Sequence, residues 1–337
     1  RKIGEENQAH QKYVNFMGDF DWYEAATKCY HGGYTHANRF CVGWTENDVK
    51  CYDFASSYPY VMLAEKYPCE RFQKLSVDVT VDDILKTEYA CMLEIVASGV
   101  KLKDYFTPMP NLQISKCEYV LNPIVDNGRI LEAELIDLYI TEVDLRLIME
   151  QYKFREVSIR QAWIASKDYL PRWFTDYIYT LFREKTVLKG VDVVQYAIAK
   201  AKVNSVYGMT VQKVCRDVIT EDYLTGDYEV MENVNEDEYN KIVKRRSSFL
   251  PYYIGVYVTA YAMRNLYRLG KCAGEWLYSD TDSIYGVDVD QKKIDAYNEN
   301  CKRLLTKRGY PGILHNGREY WLGVAELDGE YTEFRTD

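Results

Sequence analysis

The chain has nine cysteines in 337 residues and no CxxC pair among them. Zinc knuckles and thiol redox sites use that spacing, so neither is indicated, and scattered thiols fit a reducing, cytoplasmic setting. No apolar run approaches the roughly 18 residues that a membrane-spanning helix needs, so no membrane partner is expected. The start, Arg1-Lys2-Ile3-Gly4-Glu5-Glu6, has neither an initiator methionine nor an apolar signal core. The end, Phe334-Arg335-Thr336-Asp337, follows an amphipathic stretch with no closing signal; a fragment cut at both ends is expected. There is no internal repeat and no low-complexity tract. Net positive charge is also missing, the formal value being −9. An even spread of that charge would repel a polyanion. Yet Arg183, Lys185, Lys189, Lys200, Lys202, Lys213 and Arg216 face only Glu184 and Asp192 in the same stretch. A basic island of this kind can line a groove that whole-chain charge conceals.

What is present is ordinary globular composition, 47% hydrophobic and 28% charged, at a length that allows two or three compact units. Tyrosine is abundant, at 32 copies, and suits polar interfaces and base stacking as well as plain cores. Residues 1–48 read as a helix followed by the turn Tyr30-His31-Gly32-Gly33. Val49 to Phe54 reads as a strand and Tyr60 to Tyr67 as a short helix. The stretches 75–81 and 90–96 alternate like strands. Asp126-Asn127-Gly128-Arg129 is a hairpin turn. Leu135 to Ile140 is strand-like, and Thr141-Glu142-Val143-Asp144 is a capping box opening a helix to about Gln151. Two helices, 169–188 and 191–207, meet at Lys189-Gly190. A polar segment, 213–248, precedes a long helix from Tyr252 to Leu269.

That helix feeds Tyr278-Ser279-Asp280-Thr281-Asp282-Ser283, two carboxylates one residue apart at a strand-turn-strand tip. Such a pair repels itself unless a cation intervenes, and hard divalent ions take oxygen ligands from carboxylates and substrate phosphates. A second acid, Asp53, ends a strand before the sharp turn Ala55-Ser56-Ser57-Tyr58-Pro59. Free amides there suit a metal-bound triphosphate, although a capped strand-helix turn accounts for the same residues. Lys200, Asn204 and Tyr207 share one helix face, at i, i+4 and i+7, and could meet phosphate, sugar and base; a solvated face is the plainer reading.

Taken in order, DFxSxYP at Asp53, KxxxNSxYG at Lys200 and YxDTDS at Tyr278 resemble the three polymerase motifs of family B DNA polymerases. Tyr30-His31-Gly32-Gly33 resembles the YxGG element of the protein-primed subgroup found in phages and linear plasmids. Leu138 to Asp144 resembles that subgroup's segment before the fingers. The likeness covers nearly the whole chain. It implies an α+β fold with an antiparallel palm sheet and packed helices, helical-hairpin fingers and two insertions. The implied boundaries are a pre-palm linker at 1–48, palm at 49–75, a terminal-protein-type insertion at 76–134, palm at 135–165, fingers at 166–212, a second insertion at 213–250, and palm at 251–337. The family's exonuclease and thumb are expected to lie outside these residues, so no 3′–5′ exonuclease activity and no thumb-borne primer grip are expected of them.

The resemblance implies template-directed DNA synthesis, with Asp53 and Asp282 holding two Mg²⁺ ions, replaceable by Mn²⁺, assisted by the Phe54 carbonyl. Asp280 is the weaker acid. Lys200, with Arg183 and Lys185, takes the triphosphate, and Lys189 is a lesser candidate. Ser57 and Tyr58 border the nucleotide, Tyr58 as the steric gate against a ribose 2′-OH. Tyr207 stacks beside the new base pair and Asn204 supports it. Tyr30, Gly32 and Gly33 hold DNA; Ser56 and Thr281 face the primer end, and Gly208 admits the template. The implied partners are template-primer DNA, dNTPs and a terminal priming protein, in a host cytoplasm for a viral chain. A DxD pair alone also suits a Mn²⁺ glycosyltransferase, which leaves the 200–208 helix without a task. A non-catalytic fragment that binds DNA or the priming protein is the other alternative. Cys29, His31, His36 and Cys41 form a weaker zinc possibility at no usual spacing. Lys244-Arg245-Arg246 could touch DNA or be a solvated run. His10 and His315 read as ordinary polar positions, and Trp163, Trp173 and Phe174 as core.

Overall fold

The computed structural model describes residues 11–76, 78–103, 109–231, 234–245 and 251–336. Two antiparallel sheets organise it. The first has five strands in the order Tyr34–Ala37, Glu275–Thr281, Ser283–Val287, Thr45–Phe54 and Ala325–Arg335. Alternation along Thr45–Phe54 sorts its side chains. Tyr52 and Phe54 join a core with Leu266, Tyr267 and Leu269 of the Tyr253–Gly270 helix. Val49 packs on the other face with Cys41 and Leu277, and Asp53 shares that parity. The long helix is buried along most of its length. It ends close against the sheet: a Cβ at Gly270 would lie 2.2 Å from the Trp276 ring.

The second sheet has seven strands, with Ala90–Leu102 between Arg129–Thr141 and Glu156–Ala165. The expected boundary at 134/135 falls inside the Arg129–Thr141 strand. Continuous pairing from Met92↔Thr141 to Lys101↔Glu132 makes residues on both sides of it one sheet. The strand expected over 75–81 is not formed. Thr80 instead caps a helix, Val81–Lys86, with Asp83 returning the capping bond, and that reciprocal pair overrides the alternating valines; Val77 lies outside the described residues. The Asn127-Gly128 turn has φ of 43° and 75° and joins Asp126 to Arg129, as a two-residue hairpin requires. The capping box at Thr141 and Asp144 opens the Glu142–Gln151 helix.

The helical pair spans Arg172–Leu188 and Val193–Thr210. Gly190, at φ 76°, makes the turn, and Asp192 caps the second helix through the amides of Val194 and Gln195. The helix at 57–64 starts three residues before the expected Tyr60, and Tyr67 lies in a short strand, Lys66–Pro68. The polar segment contains a hairpin, Val218–Glu221 with Tyr228–Met231, and a helix, Glu236–Val243. Trp163 and Phe174 are core residues, but Trp173 is 63% exposed, because on its helix it faces outward. His10 and Arg246 lie outside the described residues. Among the described residues no helix is long and apolar enough to cross a membrane.

Candidate active site

Sheet register brings the distant acids together. Asp53 pairs with Ser283, and the Phe54 amide donates to the Asp282 carbonyl at 3.0 Å. The Asp282 amide, which would complete that pair, donates instead to the Asp280 carbonyl at 2.6 Å. The Phe54 carbonyl is thus left untaken by Asp282 at the mouth of the site. Thr281 makes the turn at φ 58°, an uncommon conformation for a β-branched residue and a local strain at the tip.

Burial pushes the Asp53 carboxyl up to about 7, and the neighbouring Asp282, Asp328 and Glu326 add to it while Lys200 opposes. Asp282 is raised by burial and by Asp280, with Lys200 and Lys185 opposing. Asp282 thus helps to hold the proton on Asp53, as Asp280 does on Asp282, and a set of desolvated acid oxygens of this kind suits a divalent cation. Among the described residues no three His, Cys, Asp or Glu side chains form a metal cluster. A divalent ion here would draw its other ligands from backbone oxygen, water and phosphate. Asp280 is exposed and accepts from the hydroxyls of Thr35 (3.1 Å) and Thr281 (3.2 Å), which sets it apart from the other two acids.

The turn after Asp53 enters its helix through Ser56 in the left-handed region, at φ 58°, with no side-chain cap. The amides of Ser57 and Tyr58 take no partner among the described residues. Lys185 donates to Ser56 Oγ at 2.9 Å, tying the helical pair to this turn. Its ammonium is lowered from the ordinary lysine value by burial and by Lys200 and Lys189. Arg183 is exposed and acts on Tyr179 rather than on the acids, because two residues along a helix turn it to the far side from Lys185. Lys189 lies 5.2 Å over the Tyr320 ring, and its carbonyl contacts His315, an ordinary polar position.

Three tyrosines connect the elements. Tyr30 and Tyr207 share a hydroxyl hydrogen bond of 2.7 Å, and the Tyr207 ring lies 4.2 Å from that of Tyr58. Burial, then Asp282 and Tyr30, push the Tyr58 hydroxyl up to about 12. Gly33 sits against the aspartate tip: a Cβ there would meet Thr281 Cγ2 at 2.9 Å. Gly32 and Gly208 face open space, and Asn204 is exposed. The zinc possibility is not realised. Cys29 is in the main core, Cys41 donates to Glu275, and His36 lies 3.5 Å from Asp126. Reading the sequence alone missed Glu326, whose strand pairs it with Asp53. Its nearest signal was the acidic spacing Glu326-Leu327-Asp328 in a strand-like run.

The profile of the family described as DNA polymerase type B, organellar and viral, matches residues 12–253, more than half of the chain. The chain belongs to that family. DNA polymerases of Bacillus phages Nf and B103 are each 26% identical to this type B chain over 92% of its residues and 52% of theirs. The fold agrees. Phi29 DNA polymerase complexed with primer-template DNA and incoming nucleotides superposes with a TM-score of 0.67 at 18% identity, over 97% of this chain and 51% of that one. The same polymerase complexed with single-stranded DNA gives 0.66 at 17%. The chain therefore spans about half the length of the type B relatives it matches.

Proposed function

We propose that this chain is the palm and fingers portion of a DNA-directed DNA polymerase, which joins dNTPs to a primer 3′-OH, or to a priming-protein hydroxyl, on a template. The observation that carries the reading is the sheet register that sets Asp53 beside Asp282 with Lys185 and Lys200 facing both. Two Mg²⁺ ions, or Mn²⁺, bound there would supply Lewis acidity to the attacking hydroxyl and the departing pyrophosphate. Asp53, Asp282 and the Phe54 carbonyl are the residues to hold them.

Lys200 and Lys185 would orient the triphosphate, along with the free amides of Ser57 and Tyr58. Arg183 has a lesser part, at the edge of the fingers. The Tyr58 ring, packed on Tyr207, would close the space beside the sugar, and Asn204 would steady that wall. Ser56 and Thr281 would border the primer end. Tyr30, Gly32, Gly33 and Gly208 would guide the DNA strands. The YxGG-like turn and the two intervening segments support a terminal protein as a further partner.

Primer extension on a defined template with Mg²⁺ tests this. Asp53→Ala and Asp282→Ala should each lower incorporation by at least roughly 10³-fold, as loss of a major electrostatic element does. Near-normal extension by Asp282→Ala would overturn the reading. DNA binding by the parent chain without any extension would favour a non-catalytic fragment.

A further inference from the structure

A cleft of about 940 Å³ opens between the Glu142–Gln151 and Tyr253–Gly270 helices, closed by the segments at 64–66 and 87–89. It lies on the helix side of the five-stranded sheet. Tyr52 and Phe54 point to that side, so Asp53, one residue out of phase, points away from it. The cleft is separate from the acidic site.

Its charges do not balance. Three of the lining cations are matched: Arg264 by Glu65 at 2.6 Å, Lys271 by Glu150 at 2.5 Å, and Lys167 by buried Glu142. The other three have no carboxylate partner among the described residues. Arg146 donates to the carbonyls of Thr87 (2.8 Å) and Ile84 (3.4 Å). Lys66 lies 5.7 Å over the Tyr169 ring. Arg268 is exposed and its side chain makes neither an ion pair nor a hydrogen bond with the described residues; Arg264 beside it opposes its charge, while Glu65 and Glu150 favour it. Glu88 is the single unmatched carboxylate on the wall. Six cations line the cleft against the carboxylates of Glu65, Glu88 and Glu150 and the buried Glu142, and this positive balance, in a chain whose formal charge is −9, favours an anion. Tyr89 on the same wall is 50% exposed and has no ring partner among the described residues. The cleft's size is that of a small-molecule site and suits one nucleotide better than an extended strand.

We propose that this cleft binds a nucleoside polyphosphate, with Arg268 and Lys66 on its phosphates, Arg146 behind them and Tyr89 against the base. The proposal does not depend on polymerase activity. The test is fluorescence anisotropy of dATP carrying a methylanthraniloyl label, in EDTA at low salt, so that metal-dependent binding is suppressed. Binding should be at least about tenfold weaker in Arg268→Glu and in Lys66→Glu, the loss expected when a charged hydrogen-bonding group is removed. Arg268→Gln, a milder change, should show the same direction, and far-UV circular dichroism and thermal melting should match the parent for all three. Lys200→Ala, on the other face, should leave this binding unchanged, and inorganic tripolyphosphate should compete for it. Binding that survives the charge reversals, or that disappears in Lys200→Ala, overturns the proposal. So does a result in which only a short single-stranded oligonucleotide, and not labelled dATP, depends on Arg268 and Lys66.

Discussion

At the scale of single residues, Asp53 holds the sharpest consequence. Its carboxyl sits near 7 in the folded chain, against about 4 in an unfolded one. An acid raised on folding contributes stability that is complete below the unfolded value and is lost as pH rises through the folded one. Metal-free protein should therefore lose stability between about pH 4 and pH 7, on the order of 2–4 kcal/mol from this group. Asp53→Asn keeps the shape and removes the titration. Thermal melts in EDTA should show the variant equal to the parent near pH 4 and more stable at pH 8. Added Mg²⁺ should raise the parent's melting temperature at pH 8 and do less for the variant. Parallel curves for the two proteins would mean that Asp53 is not desolvated against its neighbours.

At the scale of elements, the contact of the Tyr30–Gly33 turn with the aspartate hairpin can be tested by pairing mutations. Gly33→Ala places a methyl 2.9 Å from Thr281 Cγ2 and 3.0 Å from its Oγ1. The hairpin must then shift, and incorporation should fall about tenfold or more for a displacement of this kind. Thr281→Ala removes both atoms, so the double variant should recover part of the loss. A coupling of about 0.5–3 kcal/mol in the cycle is expected; strictly additive effects would dismiss the contact. Local signals made much of this scale legible. Thr141 with Asp144, Asn127-Gly128 and the aspartate hairpin each carry their geometry within four to six residues. Where two local signals competed, at 75–81, the capping box at Thr80 and Asp83 prevailed over valine alternation. The Tyr30–Tyr207–Tyr58 contact was not legible, since one hydrogen bond there spans 177 positions. Nor was the split between Arg183 and Lys185, which depends on how the helical pair is rotated against the sheet.

At the scale of the whole molecule, the two sheets must hold together for the acids to keep their register, and one buried carboxylate is placed to do this. Glu142 has no exposed surface. It pairs with Lys167, accepts from the Tyr257 hydroxyl at 2.7 Å and from the Cys91 amide at 2.8 Å. Cys91 belongs to the seven-stranded sheet, Tyr257 to the long helix behind the five-stranded one. From sequence, Glu142 was only the first residue of a capped helix; its partners lie 25 to 115 positions away. Removing one member of such a pair leaves a buried charge without its counterpart, at a cost of about 3–5 kcal/mol. Glu142→Ala should therefore lower the free energy of unfolding measured in urea by that amount, while Glu142→Gln, which keeps an acceptor for Tyr257, should cost less. The network also predicts how unfolding proceeds. Trp163 reports on the seven-stranded sheet and Trp276 on the five-stranded one. In single-tryptophan versions of the parent chain their transitions should coincide. In Glu142→Ala they should separate, with the register between Asp53 and the 280–283 hairpin lost at the first. Coincident transitions in the variant would place the coupling of the sheets elsewhere, in the apolar packing of the long helix.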